Sequence, residues 1–222
     1  MSVPGVGPQP GPGAALREQF GRIDIYLFDQ ILQGRFDGRS RILDAGCGDG
    51  RNLRYFLRQG FSCFGADADP VAIEQTRQLA ARVAPALSAS HFQIADLDAL
   101  PWPDGSMDAV VASAVLHFAR DVAHFNRMVD ELWRVLAPGG LFFARLASTI
   151  GLEAELGEAG RRVRLPDGTE RFVVDDAMLR GATLLRGGRL LDPIKTTNVE
   201  RQRCMTTWVA CREPGPMPRP SS

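Results

Sequence analysis

The sequence has no excess of either charge. Its 26 basic and 26 acidic residues cancel, so it lacks the electrostatic footprint that DNA, RNA or an anionic membrane surface calls for. It has no apolar run near the roughly 20 residues that span a bilayer, and its N-terminus shows neither the basic nor the apolar region of a signal peptide. Its four cysteines, Cys47, Cys63, Cys204 and Cys211, form no CxxC pair and are too sparse for a disulfide scaffold. With only three histidines, no group of His, Cys and carboxylate has metal-ligand spacing, and no metal site is expected. No internal repeat is present. These absences lead to the expectation of a soluble, cytoplasmic protein with reduced thiols and without a nucleic-acid or membrane partner.

The 222 residues fit one domain with a sheet buried on both faces. Residues 1–13 and 213–222 are mostly Pro, Gly and small or polar side chains, which cannot offset the entropy of ordering, so both are expected to be disordered tails around a single domain at 14–212. From Ala14 to about Phe36, Leu16, Phe20, Ile23, Leu27 and Ile31 alternate at spacings of three and four, the pattern of one amphipathic helix. A repeated grammar follows, a short apolar run and then a helical pattern, as a parallel sheet with crossover helices requires. Strands are expected at Arg41–Ala45, Ser62–Ala66, His91–Ala95, Ala109–Ser113 and Leu141–Leu146. Asp69 with Pro70 reads as a helix start, and Pro138-Gly139-Gly140 as the end of a helix that begins near Asp121 and buries Phe125, Met128, Val129, Leu132 and Leu136. Beyond a core at 40–148, residues 161–174 read as an inserted hairpin turning at Pro166-Asp167-Gly168. A helix from about Asp176 follows, then strands at Leu190–Val199 and Cys204–Cys211. Pro193 cannot donate to a ladder, which puts the earlier of these two at an edge. Alternation accounts for Cys204, Met205 and Trp208 as packing.

The densest chemical signal is Ile42 to Gly50, ILDAGCGDG, where a first strand passes into a first helix. Gly46, Gly48 and Gly50 allow a sharp turn and a close approach to a ligand. A dinucleotide fingerprint reads GxGxxG to admit a pyrophosphate, whereas here the spacing is GxGxG and the strand ends in Asp44. A carboxylate there suits a ligand with an ammonium group. Asp67, at the second strand end, is placed to accept from two ribose hydroxyls. Asp96, at the third, can accept from an adenine amino group beside the apolar cover of Leu97.

The ordered set of Ile42–Gly50, the GADAD segment, Ala95–Asp108 (ADLDALPWPDGSMD), the VVASAVLHF segment and Val135–Phe143 (VLAPGGLFF) resembles the successive motifs of class I S-adenosylmethionine-dependent methyltransferases of the type 11 kind. GRNLRYFLRQG, from Gly50, also resembles the tellurite-resistance branch that acts on small molecules. The resemblance implies an α/β fold, a Rossmann-like seven-stranded mixed sheet of six parallel strands and one antiparallel strand, Cys204–Cys211, with helices on both faces. It implies S-adenosyl-L-methionine as cofactor. Asp44 with Gly46, Cys47, Gly48, Gly50 and Asn52 would hold the methionine portion. Asp67 and Ala68 would hold the ribose, Asp96 and Leu97 the adenine, and Ser113 would form the floor beside the methyl group.

The expected reaction is methyl transfer to a small-molecule acceptor by in-line displacement, in which positioning alone supplies much of the acceleration. The Asp/Asn-Pro-Pro-aromatic motif of enzymes that methylate base or glutamine amino groups is absent after the fourth strand. His117 could take a proton from an acceptor hydroxyl or thiol, or be a packed histidine. Arg145 could pair with an acceptor carboxylate or bridge to an acid in the C-terminal insertion. His91 reads as a strand-edge residue and His124 as a helix-surface residue, and Tyr26 as interface packing or a lid. The alternatives are methylation of a protein or tRNA, which arginines 51, 54 and 58 could serve, and a non-catalytic scaffold that binds the cofactor without turnover.

Overall fold

The computed structural model describes residues 11–151 and 160–214. Residues 1–10 and 215–222, most of the two expected tails, lie outside the described residues. The expected long first helix is two helices, α1 (Pro12–Phe20) and α2 (Ile25–Leu32). The break has a local cause. Gly21 takes φ +64°, outside the helical region, and Asp24 caps α2 by accepting from the Tyr26 N–H at 3.0 Å, a bond that fixes a helix start.

The chain then alternates strand and helix: β1 (Arg41–Ala45), α3 (Arg54–Arg58), β2 (Ser62–Asp67), α4 (Pro70–Val83), β3 (Phe92–Ile94), β4 (Met107–Ser113), α5 (Val122–Val135) and β5 (Leu136–Ala147). Asp69 caps α4 through the Val71 N–H, and Pro70 fills the first turn, where its missing N–H costs nothing. Asp121 caps α5 through the His124 N–H. Leu136 is buried as expected but in β5, opposite Met107. Helix α5 therefore ends at Val135, and Pro138-Gly139-Gly140 lies in the strand instead of ending the helix.

Next come the hairpin β6 (Arg162–Arg164) and β7 (Glu170–Phe172), helix α6 (Asp176–Leu185), β8 (Gly188–Leu190), β9 (Lys195–Val199) and β10 (Arg203–Arg212). The main sheet runs β3-β2-β1-β4-β5-β10-β8, with β9 also paired to β10. Strands β1 to β5 are mutually parallel, and β10 is antiparallel to β5 (Trp208 opposite Ala144). β8 and β9 both run antiparallel to β10, so they share the direction of the first five. The single edge strand expected at Leu190–Val199 is thus two pieces on either side of Pro193, the one residue there without an N–H to give the ladder.

Alternation along the strands splits the core in two. Leu43, Val110, Phe142 and Trp208 face one side, where Phe125, Met128 and Trp133 of α5 and Leu179 of α6 cover them. Ile42, Val111, Phe143 and Val209 face the other, under Leu27 of α2, Phe56 of α3 and Ile73 and Leu79 of α4. This two-sided cover gathers the carboxyl ends of β1, β2, β3, β4 and β5 at one rim of the sheet, where ligands of open α/β sheets bind.

Candidate functional site

At that rim the loop after β1 turns sharply and is braced from β2. The Gly46 and Cys47 N–H groups donate to the Ala66 carbonyl at 2.8 and 3.0 Å, and the Gly48 N–H donates to Asp67 Oδ2 at 2.9 Å. Gly46 and Gly48 both take left-handed backbone, φ +75° and +55°, but their surroundings differ. A Cβ at Gly46 would lie 2.4 Å from Val115 Cγ2, whereas one at Gly48 meets nothing within 4 Å. Gly46→Ala is expected to destabilise the protein by about 2–4 kcal/mol, adding overpacking to backbone strain, and Gly48→Ala by strain alone, about 1–2 kcal/mol. Urea titrations of the two variants check the order; equal losses would show that Val115 moves aside freely.

A cleft of about 360 Å³ opens beside the loop, lined by Gly46, Asp67, Ala68, Asp96, Leu97, Ala114, Val115, Phe118, His124 and Met128. Five residues expected from the sequence thus meet at one cavity: Gly46, Asp67, Ala68, Asp96 and Leu97. Asp67 also accepts from the Asp69 N–H at 3.0 Å, so both its oxygens are fixed while each retains a lone pair for a ligand. Asp96 is exposed, and Leu97 is buried beside it.

Asp44 lies 1 % exposed at the end of β1, and neither carboxylate oxygen has a hydrogen-bond partner among the described residues. Burial pushes its pKa up to about 7, opposed by the charge of Arg51 and, more weakly, by the Asn52 side chain, which lies close without meeting hydrogen-bond geometry, and reinforced by the charges of Asp67 and Asp24. An unpaired buried carboxylate is costly unless a cation reaches it. Asp44 lies behind the loop and is not among the residues lining the cleft, and a cation brought up to it would relieve that cost.

The other expected site residues serve the loop or its surroundings. Cys47 is buried, its Sγ accepting from Thr76 Oγ1 at 3.8 Å, and burial first, then the Asp44 charge, push the thiol pKa up. A Cβ at Gly50 would meet Leu79 Cδ2 at 2.9 Å, so its smallness serves packing against α4. Asn52 is buried and accepts from the Asp24 N–H at 3.0 Å. Ser113 is buried at the end of β4, donating to Asp24 Oδ2 at 3.0 Å and accepting from Arg51 Nη2 at 3.3 Å.

The expectations for Arg145 and His124 need correction, and His117 takes the packed position that was one of its two readings. Arg145 bridges to no acid of the C-terminal insertion among the described residues. Its Nη1 donates to Asp24 Oδ2 at 3.1 Å, and its guanidinium lies over the Tyr26 ring, 4.8 Å from the centroid. His117 is 6 % exposed in a short turn and is not among the residues lining the cleft. Burial and then the Arg171 charge press its pKa down to about 4, so it is a neutral and weakly basic ring at pH 7. His124 does line the cleft and is no surface residue. Its Nδ1 accepts from the Arg120 N–H at 3.1 Å, which leaves the proton on Nε2, 3.5 Å from Asp98. Its position in the first turn of α5, near Asp98, comes from packing between elements and leaves no mark in local sequence.

Asp24 is the residue that sequence reading missed. It binds Tyr26, Ser113 and Arg145 through its carboxylate and Asn52 through its N–H. Its neighbour Ile23 continued a helical pattern, and the cap became visible only once the helix broke. Tyr26 packs between Arg145 and β9, where its hydroxyl bonds Thr197. His91 is half-buried, stacked on Phe64 at 4.3 Å between ring centroids. The inserted hairpin reaches the cleft rim through Arg171, 5.0 Å from the Phe118 ring centroid. Among the described residues no group of His, Cys, Asp and Glu could hold a metal ion, and no helix is long and apolar enough to cross a membrane.

A sheet that reverses at β10, with a glycine loop after β1 and acids at the ends of β1, β2 and β3, defines a Rossmann-like nucleoside-binding α/β protein. Residues 43–144 match the family model described as "Methyltransferase domain", and in this segment the chain is similar to S-adenosylmethionine-dependent methyltransferases. It is 33% identical over 124 residues to a malonyl-[acyl-carrier protein] O-methyltransferase of Serratia marcescens, covering 55% of this chain and 44% of that one. It is 32% identical over 149 residues to a probable S-adenosylmethionine-dependent methyltransferase of Mycolicibacterium smegmatis, covering 67% and 53%. The chain thus spans about half the length of these curated relatives. A crystal structure of an S-adenosylmethionine-dependent methyltransferase from Clostridium acetobutylicum superposes with a TM-score of 0.67 over 91% of this chain and 98% of that one, at 13% identity, a likeness of fold.

Proposed function

We propose that the cleft binds S-adenosylmethionine and that the protein transfers its methyl group to a small-molecule acceptor. The observation that carries this reading is Asp44, a buried carboxylate without a partner, behind a glycine loop whose cleft presents Asp67 and Asp96. An α-ammonium group would supply the charge that Asp44 lacks, ribose hydroxyls could donate to Asp67, and an adenine amino group to Asp96, with Leu97 and Met128 as apolar cover. When bound, the cofactor supplies a methyl carbon made electrophilic by its sulfonium.

The protein's own contribution in this reading is positioning and exclusion of water. Ser113 and Arg145 are held rigidly by Asp24 at the ends of β4 and β5, a fixed polar wall on the acceptor side. His117, with its pKa near 4, is a poor general base at neutral pH. The proposed transfer uses an acceptor that is already nucleophilic or loses its proton to water. A small acceptor is supported by the residues after β4, Ala114 to Phe118, which offer no amide-orienting Pro-Pro motif. The relatives named malonyl-[acyl-carrier protein] O-methyltransferases act on a small acyl group carried on a protein, which supports a small group as acceptor, free or carried.

Calorimetric titration with S-adenosylmethionine and S-adenosylhomocysteine, with NAD as control, tests the reading. The intact protein is expected to bind both sulfur ligands and not NAD. Asp96→Ala is expected to weaken binding by about 1–3 kcal/mol, the cost of a lost hydrogen bond to a buried donor. Asp67→Ala is expected to weaken it further, because the Gly48 brace is lost as well. Failure of the folded protein to bind either sulfur ligand would remove the reading. Binding without turnover over a panel of carboxylate, hydroxyl and thiol acceptors would favour a scaffold.

A further inference from the structure

A second cavity, of about 390 Å³, lies between the α1–α2 turn, α3 and α4, with Arg22, Arg51, Arg54, Arg82, Gln75 and Gln78 in its wall. We propose that it is a binding site for a phosphate group, separate from the nucleoside cleft and independent of methyl transfer.

The charge balance supports this first. The whole chain is neutral, yet this cavity gathers four guanidinium groups around a single lining carboxylate, Asp49, which Arg22 engages. Arg51 also faces the charge of Asp44, which leaves Arg54 and Arg82 without an acidic partner among the described residues in a concave space.

Arginines 51, 54 and 58, at helical spacing before and along α3, could form a solvated face, but two of them are held in place. Arg51 Nη1 donates to the Arg22 carbonyl at 3.3 Å, and Arg54 Nε donates to the Glu18 carbonyl at 3.2 Å. Main-chain carbonyls orient a guanidinium without neutralising it, so the charge and the remaining N–H donors stay available at little further entropic cost. The backbone accommodates this arrangement. A Cβ on Gly21 would come within 3.0 Å of Arg54 Cδ, so the turn admits the arginine because it carries no side chain. Arg82, on the facing helix, has no hydrogen bond or ion pair among the described residues. It closes the cavity from the other side, with the amides of Gln75 and Gln78 along the same helix.

The donor set selects the ligand class. Guanidinium forks converging from two helices and a turn match the several oxygens of a tetrahedral phosphate or a diphosphate. A single planar carboxylate would leave most of them unused.

The test is calorimetric titration of the full chain with inorganic pyrophosphate and, separately, with coenzyme A, at constant ionic strength set by chloride. The variants are Arg82→Gln and the double variant Arg54→Gln/Arg82→Gln. Arg51 is left intact because its other arm donates to Ser113 beside the cleft. Saturable one-to-one binding by the intact protein is expected, weakened about tenfold or more in the double variant and partly in Arg82→Gln. Uptake of S-adenosylmethionine by the same preparations should be unchanged. Tighter pyrophosphate binding identifies a free anion as the ligand, and tighter coenzyme A binding a phosphate carried on an organic arm. Absence of saturable binding of both probes by folded protein, or equal affinity in the double variant, overturns the proposal. Because the sulfur cofactor is titrated separately, that failure is distinct from failure of the methyltransferase reading.

Discussion

Asp44→Asn is expected to make the ligand-free protein more stable and a worse binder at the same time. The carboxylate is 1 % exposed and has no partner among the described residues, and burial raises its pKa from 3.8 to about 7. Its folded-state pKa lies above the unfolded one, so the native state holds the proton more tightly. The stability this confers is fully present below pH 3.8 and is lost as pH rises to about 7. At pH 8 the charge is a standing cost that asparagine removes. The variant should gain on the order of 3 kcal/mol there, or roughly 6–12 °C in Tm. The gain should shrink towards pH 4, where the carboxyl is protonated and resembles an amide. Thermal melts of both proteins from pH 4.5 to 8.5 measure this, and a constant gap between them would refute the unpaired-charge account.

Binding should move the opposite way. An ammonium group pairs with the ionised carboxylate, so affinity of the intact protein for S-adenosylmethionine should rise between pH 6 and 8. Near pH 6.5 binding should release a proton, visible as a calorimetric enthalpy that changes with buffer. Asp44→Asn should lose both features and bind about 100-fold more weakly, as expected when one member of a desolvated charged pair is removed. Undiminished affinity would mean that the cofactor's ammonium group is not the partner of Asp44.

The same physics explains which parts of the molecule the sequence disclosed. Strand ends and caps are local: Asp69-Pro70, Asp121 and the Gly46–Gly48 loop carry their meaning within three or four residues, and each stands where it was expected. Pro193 announced an edge because a missing N–H is a property of one residue, although its splitting of the strand into β8 and β9 depended on what β10 offered opposite. Apolar periodicity, by contrast, ran straight through Gly21 to Asp24. Leu16, Phe20, Ile23 and Leu27 keep helical spacing whether the helix is one or two, and nothing local weighs a tertiary bond to Ser113 against another turn of helix. His124 and Arg145 failed for the same reason, since their partners lie across the sheet rim in elements distant in sequence.

Asp24 is where this non-local information is concentrated, and Asp24→Ala is expected to be among the most damaging single changes outside the apolar core. Its side chain is 1 % exposed, that of Arg145 22 %. Truncation removes the α2 cap and the acceptor of Ser113, and it leaves Arg145, whose Nε already lacks a partner among the described residues, as an uncompensated and largely buried charge. Breaking such a pair from one side costs about 3–5 kcal/mol, and the lost cap about 1 kcal/mol more. Partial solvent access at Arg145 keeps the total near the lower end. Arg145→Met alone should also destabilise, by leaving Asp24 with one bond fewer. The double variant should then be more stable than the sum of the single losses, because it removes both charges. A double-mutant cycle in urea should therefore give a coupling of about 1–3 kcal/mol. Additive losses would show that Asp24 acts only as a helix cap. A coupling in that range would show that the start of α2 and the end of β5 are joined through one buried carboxylate.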